Sequence, residues 1–159
     1  AKVVAKFRSC LDLSANPMRD KQQFAKHCSS CHVIDGVGQN IGPDISDSRT
    51  QSPESLLTAI LDPNRAVDNN YFRYRILTLD GGSAEGIIVG EDAERIVLRT
   101  ADNRRVEIRR AEIEIKKLSG QSLMPEGFEN QLSQQQLADL ISFIKNWRYL
   151  DGPPPATPE

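Results

Sequence analysis

The sequence has no apolar run long enough to cross a bilayer; its longest, such as Gly86 to Gly90, falls far short of the roughly 20 residues a span needs. It has no excess of one charge either. Its 20 Lys plus Arg face 22 Asp plus Glu, which excludes the basic field of a nucleic-acid binder and charge-driven docking on anionic membranes by the whole surface. Cysteine is scarce, three in all, an odd number that argues against a disulfide framework. There is no internal repeat. What remains is a chain of 159 residues, 38% hydrophobic, enough for one domain with one core. It opens on Ala1 without Met or a charged-then-apolar leader, and so reads as processed or as a piece of something longer.

Turn residues and periodicity divide the chain. Asn16-Pro17 followed by Met18 to Ser30 predicts a capped helix. The Gly- and Pro-containing stretch from His32 to Gln51 predicts an irregular loop wrapped over something. Ser52-Pro53-Glu54 starts a short helix with Leu56, Leu57, Ile60 and Leu61 on one face, ended by Asp62-Pro63. From Phe72 the period becomes alternating: Phe72 to Leu79, Glu85 to Val89, Arg95 to Arg99, Arg105 to Ile108 and Glu112 to Leu118 read as strands in series. Asp80-Gly81-Gly82, Glu91-Asp92 and Asp102-Asn103 separate them. Such a meander needs a curled sheet or a covering helix to bury its apolar side. Ser133 and Gln136 form a capping box before Leu137, Leu140, Ile141, Ile144 and Trp147. The Pro-rich tail, 151–159, reads as disordered.

The strongest chemical signal is Cys28-Ser29-Ser30-Cys31-His32. Two thiols at this spacing can each add to a vinyl group of one porphyrin, while the next residue places an imidazole under the iron. Zinc would want a second ligand pair, and only Cys10 and His27 remain; a thioredoxin-like pair would want a parallel-sheet context. The pattern therefore points to one covalently attached haem c with His32 as an iron ligand. For the opposite face there are two methionines. Met18 falls about ten residues before Cys28 on the expected helix, roughly 15 Å up its axis and on the wrong side. Met124, in a loop braced by Pro125, is the better candidate, against the alternative of a core Met filling a gap. His27 is tied next to Cys28 and cannot circle the porphyrin. An iron-bound imidazole needs an acceptor for its other N–H, and Gly42-Pro43 is the candidate: Gly42 leaves room for the Pro43 carbonyl. The same two residues read equally well as an ordinary turn.

These features resemble a class I c-type cytochrome. More closely, the sequence is similar to the planctomycete and verrucomicrobial type of haem-binding domain. The matching words are Cys28 to His32, Asp35-Gly36-Val37-Gly38, Gly42-Pro43-Asp44, Ile60-Leu61-Asp62-Pro63-Asn64 and Ser122-Leu123-Met124-Pro125-Glu126-Gly127, within roughly 22–147. The resemblance implies a mainly α cytochrome c fold, here with an inserted small antiparallel β-sheet at about 71–118, so α+β overall. It implies His32 and Met124 as axial ligands, Pro43 as acceptor for the His32 ring, and Phe24 packed near Phe143 or Trp147, aromatics that also read as plain core. The family's domain often follows dehydrogenase-like or helical-repeat regions. On that basis residues 1–15 are an N-terminal extension, a remnant of a preceding part, and 16–150 the cytochrome domain.

The function expected is single-electron transfer by a non-enzymatic domain, outside the cytoplasmic membrane or in the periplasm, with a redox partner protein or fused dehydrogenase domain as donor. The competing reading is a catalytic or gas-sensing haem with a labile sixth ligand; a third is a haem that only staples the fold. Arg104, Arg105, Arg109, Arg110, Lys116 and Lys117, interleaved with Glu107, Glu112 and Glu114, read as a solvated strand face in preference to a docking patch. Cys10 reads as a free or partly buried thiol.

Overall fold

A computed structural model describes residues 2–19 and 21–150. The tail expected to be disordered, 151–159, lies outside the described residues. The chain begins with α1 (Lys2–Phe7), continued by a 3-10 turn over Arg8–Asp12. Phe7 and Cys10 from this stretch are buried in the same cluster as the later helices, so the segment set apart as an extension shares their core. Cys10 has no exposed surface, more than the partial burial expected of it. Burial, and then the Asp12 charge, push its thiol up.

The next helix, α2 (Lys21–His27), is shorter than the expected 18–30. The Asn16 side chain accepts the Met18 N–H at 2.9 Å, an Asx-type turn that competes with helix start. Met18 therefore sits in a turn, 61% exposed, and the argument from helical rise does not apply to it; exposure is what separates it from the core. The segment 32–51 is also more regular than expected. It contains the hairpin β1 (Val33–Ile34) and β2 (Val37–Gly38), turned by Asp35 and Gly36 at φ 51° and 74°, the two positive values a type I′ turn requires. A 3-10 turn follows over Ser46–Thr50.

As expected, α3 (Pro53–Leu61) is capped by Ser52, whose side chain accepts the Ser55 N–H at 3.1 Å, with Pro53 at a first-turn position where its missing donor costs nothing. Five strands follow: β3 (Phe72–Thr78), β4 (Ser83–Glu91), β5 (Arg95–Arg99), β6 (Arg105–Arg109) and β7 (Ile113–Ser122). Their extents match the alternation, but the pairing is not a serial meander. The order is β6-β5-β4-β3-β7: the last strand returns to pair with the first, with Tyr74 opposite Leu118. Only the 3-10 turn Arg110–Glu112 joins β6 to β7, which lie at opposite edges. A flat five-stranded sheet would separate those edges by roughly 19 Å, whereas three 3-10 residues cover about 8 Å, so the sheet must curl. Curling encloses a second core of Ile76, Ile96, Leu98 and Ile108, with no covering helix needed. Outside it, Arg95 pairs with Glu107 at 2.7 Å and Arg110 with Glu91 at 2.8 Å, the paired and solvated face that the interleaved charges imply.

The last helix, α4 (Gln134–Asn146), has its capping box in place: Ser133 N–H to the Gln136 side chain at 2.9 Å and Gln136 N–H to the Ser133 hydroxyl at 3.2 Å. Its apolar side, Leu137, Leu140, Ile141, Phe143 and Ile144, completes the helical core with α3, Phe24 and the N-terminal segment. The Phe24 and Phe143 rings lie 5.5 Å apart between centroids, tilted by 39°. The architecture is mixed α+β, a helical unit and a curled sheet with separate cores.

Candidate functional site

The end of α2 tightens into one further turn. Cys28 and Ser29 N–H groups both reach the Phe24 carbonyl at 2.9 Å, and the His32 N–H reaches Cys28 O at 2.8 Å. Cys28, Cys31 and His32 are thus coiled around a single turn. The following loop folds back onto it: Gln39 N–H donates to Ser29 O at 2.8 Å and Gly42 N–H to Cys31 O at 2.7 Å. Gly38 permits this return. Its φ is +120°, and a Cβ there would lie 2.1 Å from the His32 carbonyl oxygen, so no side chain fits.

The His32 ring is fixed from two directions. Its Nδ1 lies 2.8 Å from the Pro43 carbonyl oxygen. A carbonyl only accepts, so Nδ1 carries the proton and Nε2 keeps a free lone pair. Gly42 lies against the ring: a Cβ there would come within 2.7 Å of Cε1 and 3.2 Å of Nε2. Burial pushes the imidazole below the usual His range, and the bond to Pro43 works in the opposite sense, so the ring is neutral near pH 7.

The two cysteines are free thiols, half-buried. Burial, and then the neighbouring Cys31, push Cys28 up to about 12. A redox-active Cys-x-x-Cys pair needs a lowered thiol pKa, so this environment disfavours that chemistry. Among the described residues no group of three or more His, Cys, Asp or Glu converges to hold a metal ion, which leaves a zinc reading without ligands. His27 sits edge-on to Phe128, 6.3 Å between centroids, as a packing residue.

Met124 follows β7 by one intervening residue and is partly buried against the helical core that Cys28 also borders. Its backbone N–H donates to the Ser122 hydroxyl at 3.0 Å. Ser122 N–H in turn donates to Asn64 Oδ1 at 2.8 Å, and Asn64 Nδ2 donates to Glu126 Oε1 at 2.7 Å. Cys31, His32, Gly42 and Pro43 therefore form one directly bonded cluster, and Met124 joins Cys28 through the shared core. In the sequence Asn64 stands only as the last residue of the matching word Ile60-Leu61-Asp62-Pro63-Asn64, with no role assigned to it; its amide became informative once the chain brought Ser122 and Glu126 to it.

Two further elements hold the loop around the site. From α4, Lys145 Nζ donates to the Arg49 and Gln51 carbonyls at 2.9 and 2.7 Å. Just beyond that helix, Trp147 Nε1 donates to Ser46 O at 3.0 Å. From the sheet, Asn103 reaches the Gln39 side chain at 2.9 Å and Arg99 donates to the Asn40 carbonyl.

The donor set fits a covalently held haem: two free thiols one turn apart, an imidazole with its outer nitrogen free and its inner one anchored, a glycine leaving the ring bare, and a thioether bordering the same core. This geometry is of the kind a c-type haem site requires. Residues 19–75, about a third of the chain, match the family model of cytochrome c. The match supports a c-type cytochrome domain with covalently bound haem c, iron binding and haem-based electron transfer, the work of a carrier and not typically of an enzyme. No curated protein matches the chain. Among the described residues no helix is long and apolar enough to cross a membrane.

Proposed function

We propose that the protein is a monohaem c-type cytochrome in which Cys28 and Cys31 form the thioethers, His32 and Met124 are the axial ligands, and Gly42 and Pro43 set the His32 ring. A haem bound there supplies a one-electron iron couple. The protein's own part is to hold the imidazole neutral with Nε2 outward, to present a thioether from a braced loop, and to keep water from the ligands with the helical core. The observation that carries the reading is the 2.8 Å contact of His32 Nδ1 with the Pro43 carbonyl, because it fixes the tautomer a metal ligand requires. The presence of one Cys-x-x-Cys-His sequence, with the third cysteine buried away in the core, supports a single haem.

On this reading His32 and Met124 would both hold the iron, which would leave the protein a carrier of single electrons, and the partner is a redox protein or a fused dehydrogenase domain that donates them. The shared words around Asp62-Pro63-Asn64 and Ser122 to Gly127 support the planctomycete and verrucomicrobial subtype, and covalent haem attachment supports an extracytoplasmic, periplasmic site. Spectroscopy with redox titration of the purified holoprotein tests it. The ferric protein is expected to show the sulfur-to-iron charge-transfer band, and the ferrous protein to leave carbon monoxide unbound. Met124→Ala is expected to abolish the band, lower the potential and admit carbon monoxide. A spectrum and potential unchanged by that replacement rule out the axial role. A wild-type protein that binds carbon monoxide or reacts with peroxide is instead a catalytic or sensing haem.

A further inference from the structure

We propose that Asn64 is a positioning residue for Met124, setting how firmly that thioether is held at the iron; the inference rests on the axial reading of Met124. Asn64 stands directly after Pro63, which is buried and has a fixed φ, so its backbone is a firm anchor at the end of α3. Its side chain reaches across about sixty residues of sequence to both shoulders of the Met124 loop: Oδ1 accepts from Ser122 N–H at 2.8 Å, and Nδ2 donates to Glu126 Oε1 at 2.7 Å. The direction of the amide is not arbitrary. A backbone N–H can only donate and a carboxylate can only accept, so one orientation of the amide satisfies both.

The two bonds bracket Met124, and the grip passes inward because Ser122, held by Asn64, accepts the Met124 N–H on its hydroxyl at 3.0 Å. Beyond Glu126 the chain turns through Gly127 at φ +95° into a 3-10 turn whose Phe128 is buried. The loop is thus pinned at each end, and Met124 loses less conformational freedom when it ligates than it would from a free loop. Few other side chains serve. Asp keeps the acceptor for Ser122 but loses the donor and faces Glu126 with a like charge; Leu keeps the volume and loses both bonds.

The test is competition for the iron in ferric holoprotein, with imidazole as the added ligand. Asn64→Ala is expected to raise the apparent affinity for imidazole about tenfold and to weaken the sulfur-to-iron band at temperatures well below unfolding. Glu126→Ala should raise it less, roughly threefold, whereas Glu126→Gln, which keeps an acceptor, should stay near wild type. Asn64→Asp should resemble Asn64→Ala. A purely structural role would lower the melting temperature of these variants and leave imidazole affinity unchanged. The proposal is overturned if imidazole affinity in Asn64→Ala stays within about twofold of wild type while Met124→Ala shows its large rise. If Asn64→Ala yields no holoprotein, the Glu126→Ala and Glu126→Gln pair decides, and equal affinities overturn it. If wild type already binds imidazole as readily as Met124→Ala, the axial reading has failed, and the proposal falls with it.

Discussion

Arg19 grips the buried carboxylate of Asp139 at two points, Nε to Oδ2 at 2.9 Å and Nη2 to Oδ1 at 3.1 Å. Asn16 N–H and the Gln135 amide add bonds to Oδ1 at 2.6 and 2.9 Å. Burial pushes this carboxyl up, but the Arg19, Asn16 and Gln135 bonds outweigh it and hold it below the usual carboxylate range. Because the folded value lies below the unfolded one of about 4, the linked stability is complete above pH 4 and disappears as pH falls through the folded value. Thermal melts across pH 2–7 should show Asp139→Asn losing less stability on acidification than wild type. At pH 7 Asp139→Ala should cost about 2–3 kcal/mol, less than the roughly 3–5 for a fully buried pair because Arg19 is half exposed.

Gly42→Ala should move the His32 ring. Its Cβ would stand 2.7 Å from Cε1, and the ring can yield only by loosening its bond to Pro43. On the proposed ligation, an imidazole with a weaker N–H bond would be a poorer donor to ferric iron, so the reduction potential is expected to rise, with a stability loss of about 1–3 kcal/mol. Redox titration and thermal melting read the two effects separately.

Leu98→Ala should destabilise the sheet alone. Leu98 has no exposed surface and lies in the small core that the curled strands enclose. The expected cost is about 2–5 kcal/mol. Hydrogen exchange should quicken across residues 72–122 and leave α4 protected, because the helical core is a separate cluster.

Trp147→Phe removes one of the bonds that hold the 44–51 loop, the indole N–H to Ser46 O, at a cost of about 1 kcal/mol. Lys145 still holds the same loop through two carbonyls. The double variant with Lys145→Met should therefore free the loop far more than either change alone, read by urea denaturation and by proteolysis at 44–51.

The ends of α3 and α4 were legible because Ser52, Pro53, Ser133 and Gln136 act locally, through bonds within one turn. The strands were legible for the same reason, since alternation needs no partner. Strand order was not: the alternation in Ile113–Ser122 is the same whether its neighbour is Arg105–Arg109 or Phe72–Thr78, and the curl decides. The hairpin at Val33–Gly38 was too short to register as a period, although its Asp35-Gly36 turn is a strong local signal. At the site, Cys28, Cys31 and His32 announce themselves by spacing, and the Gly42-Pro43 pair was balanced between ring support and plain turn. Its contact with His32 needed the fold of the loop to be visible. Asn64 was visible as part of a matching word, but its role was not, since its partners lie about sixty residues away.

The hydrogen bond from Ser122 to Asn64 has an architectural consequence. Asn64, ahead of the long excursion through the sheet, and Ser122, at its end, are joined by a 2.8 Å hydrogen bond, so the excursion leaves and rejoins the helical unit at one place. Closing a chain depends weakly on its length, about 0.6 kcal/mol for each doubling. The far turn of the sheet at 80–82 can therefore be lengthened or trimmed while Met124 is delivered to the same spot, whereas the β5–β6 end must stay, because Arg99 and Asn103 bond the 39–40 loop.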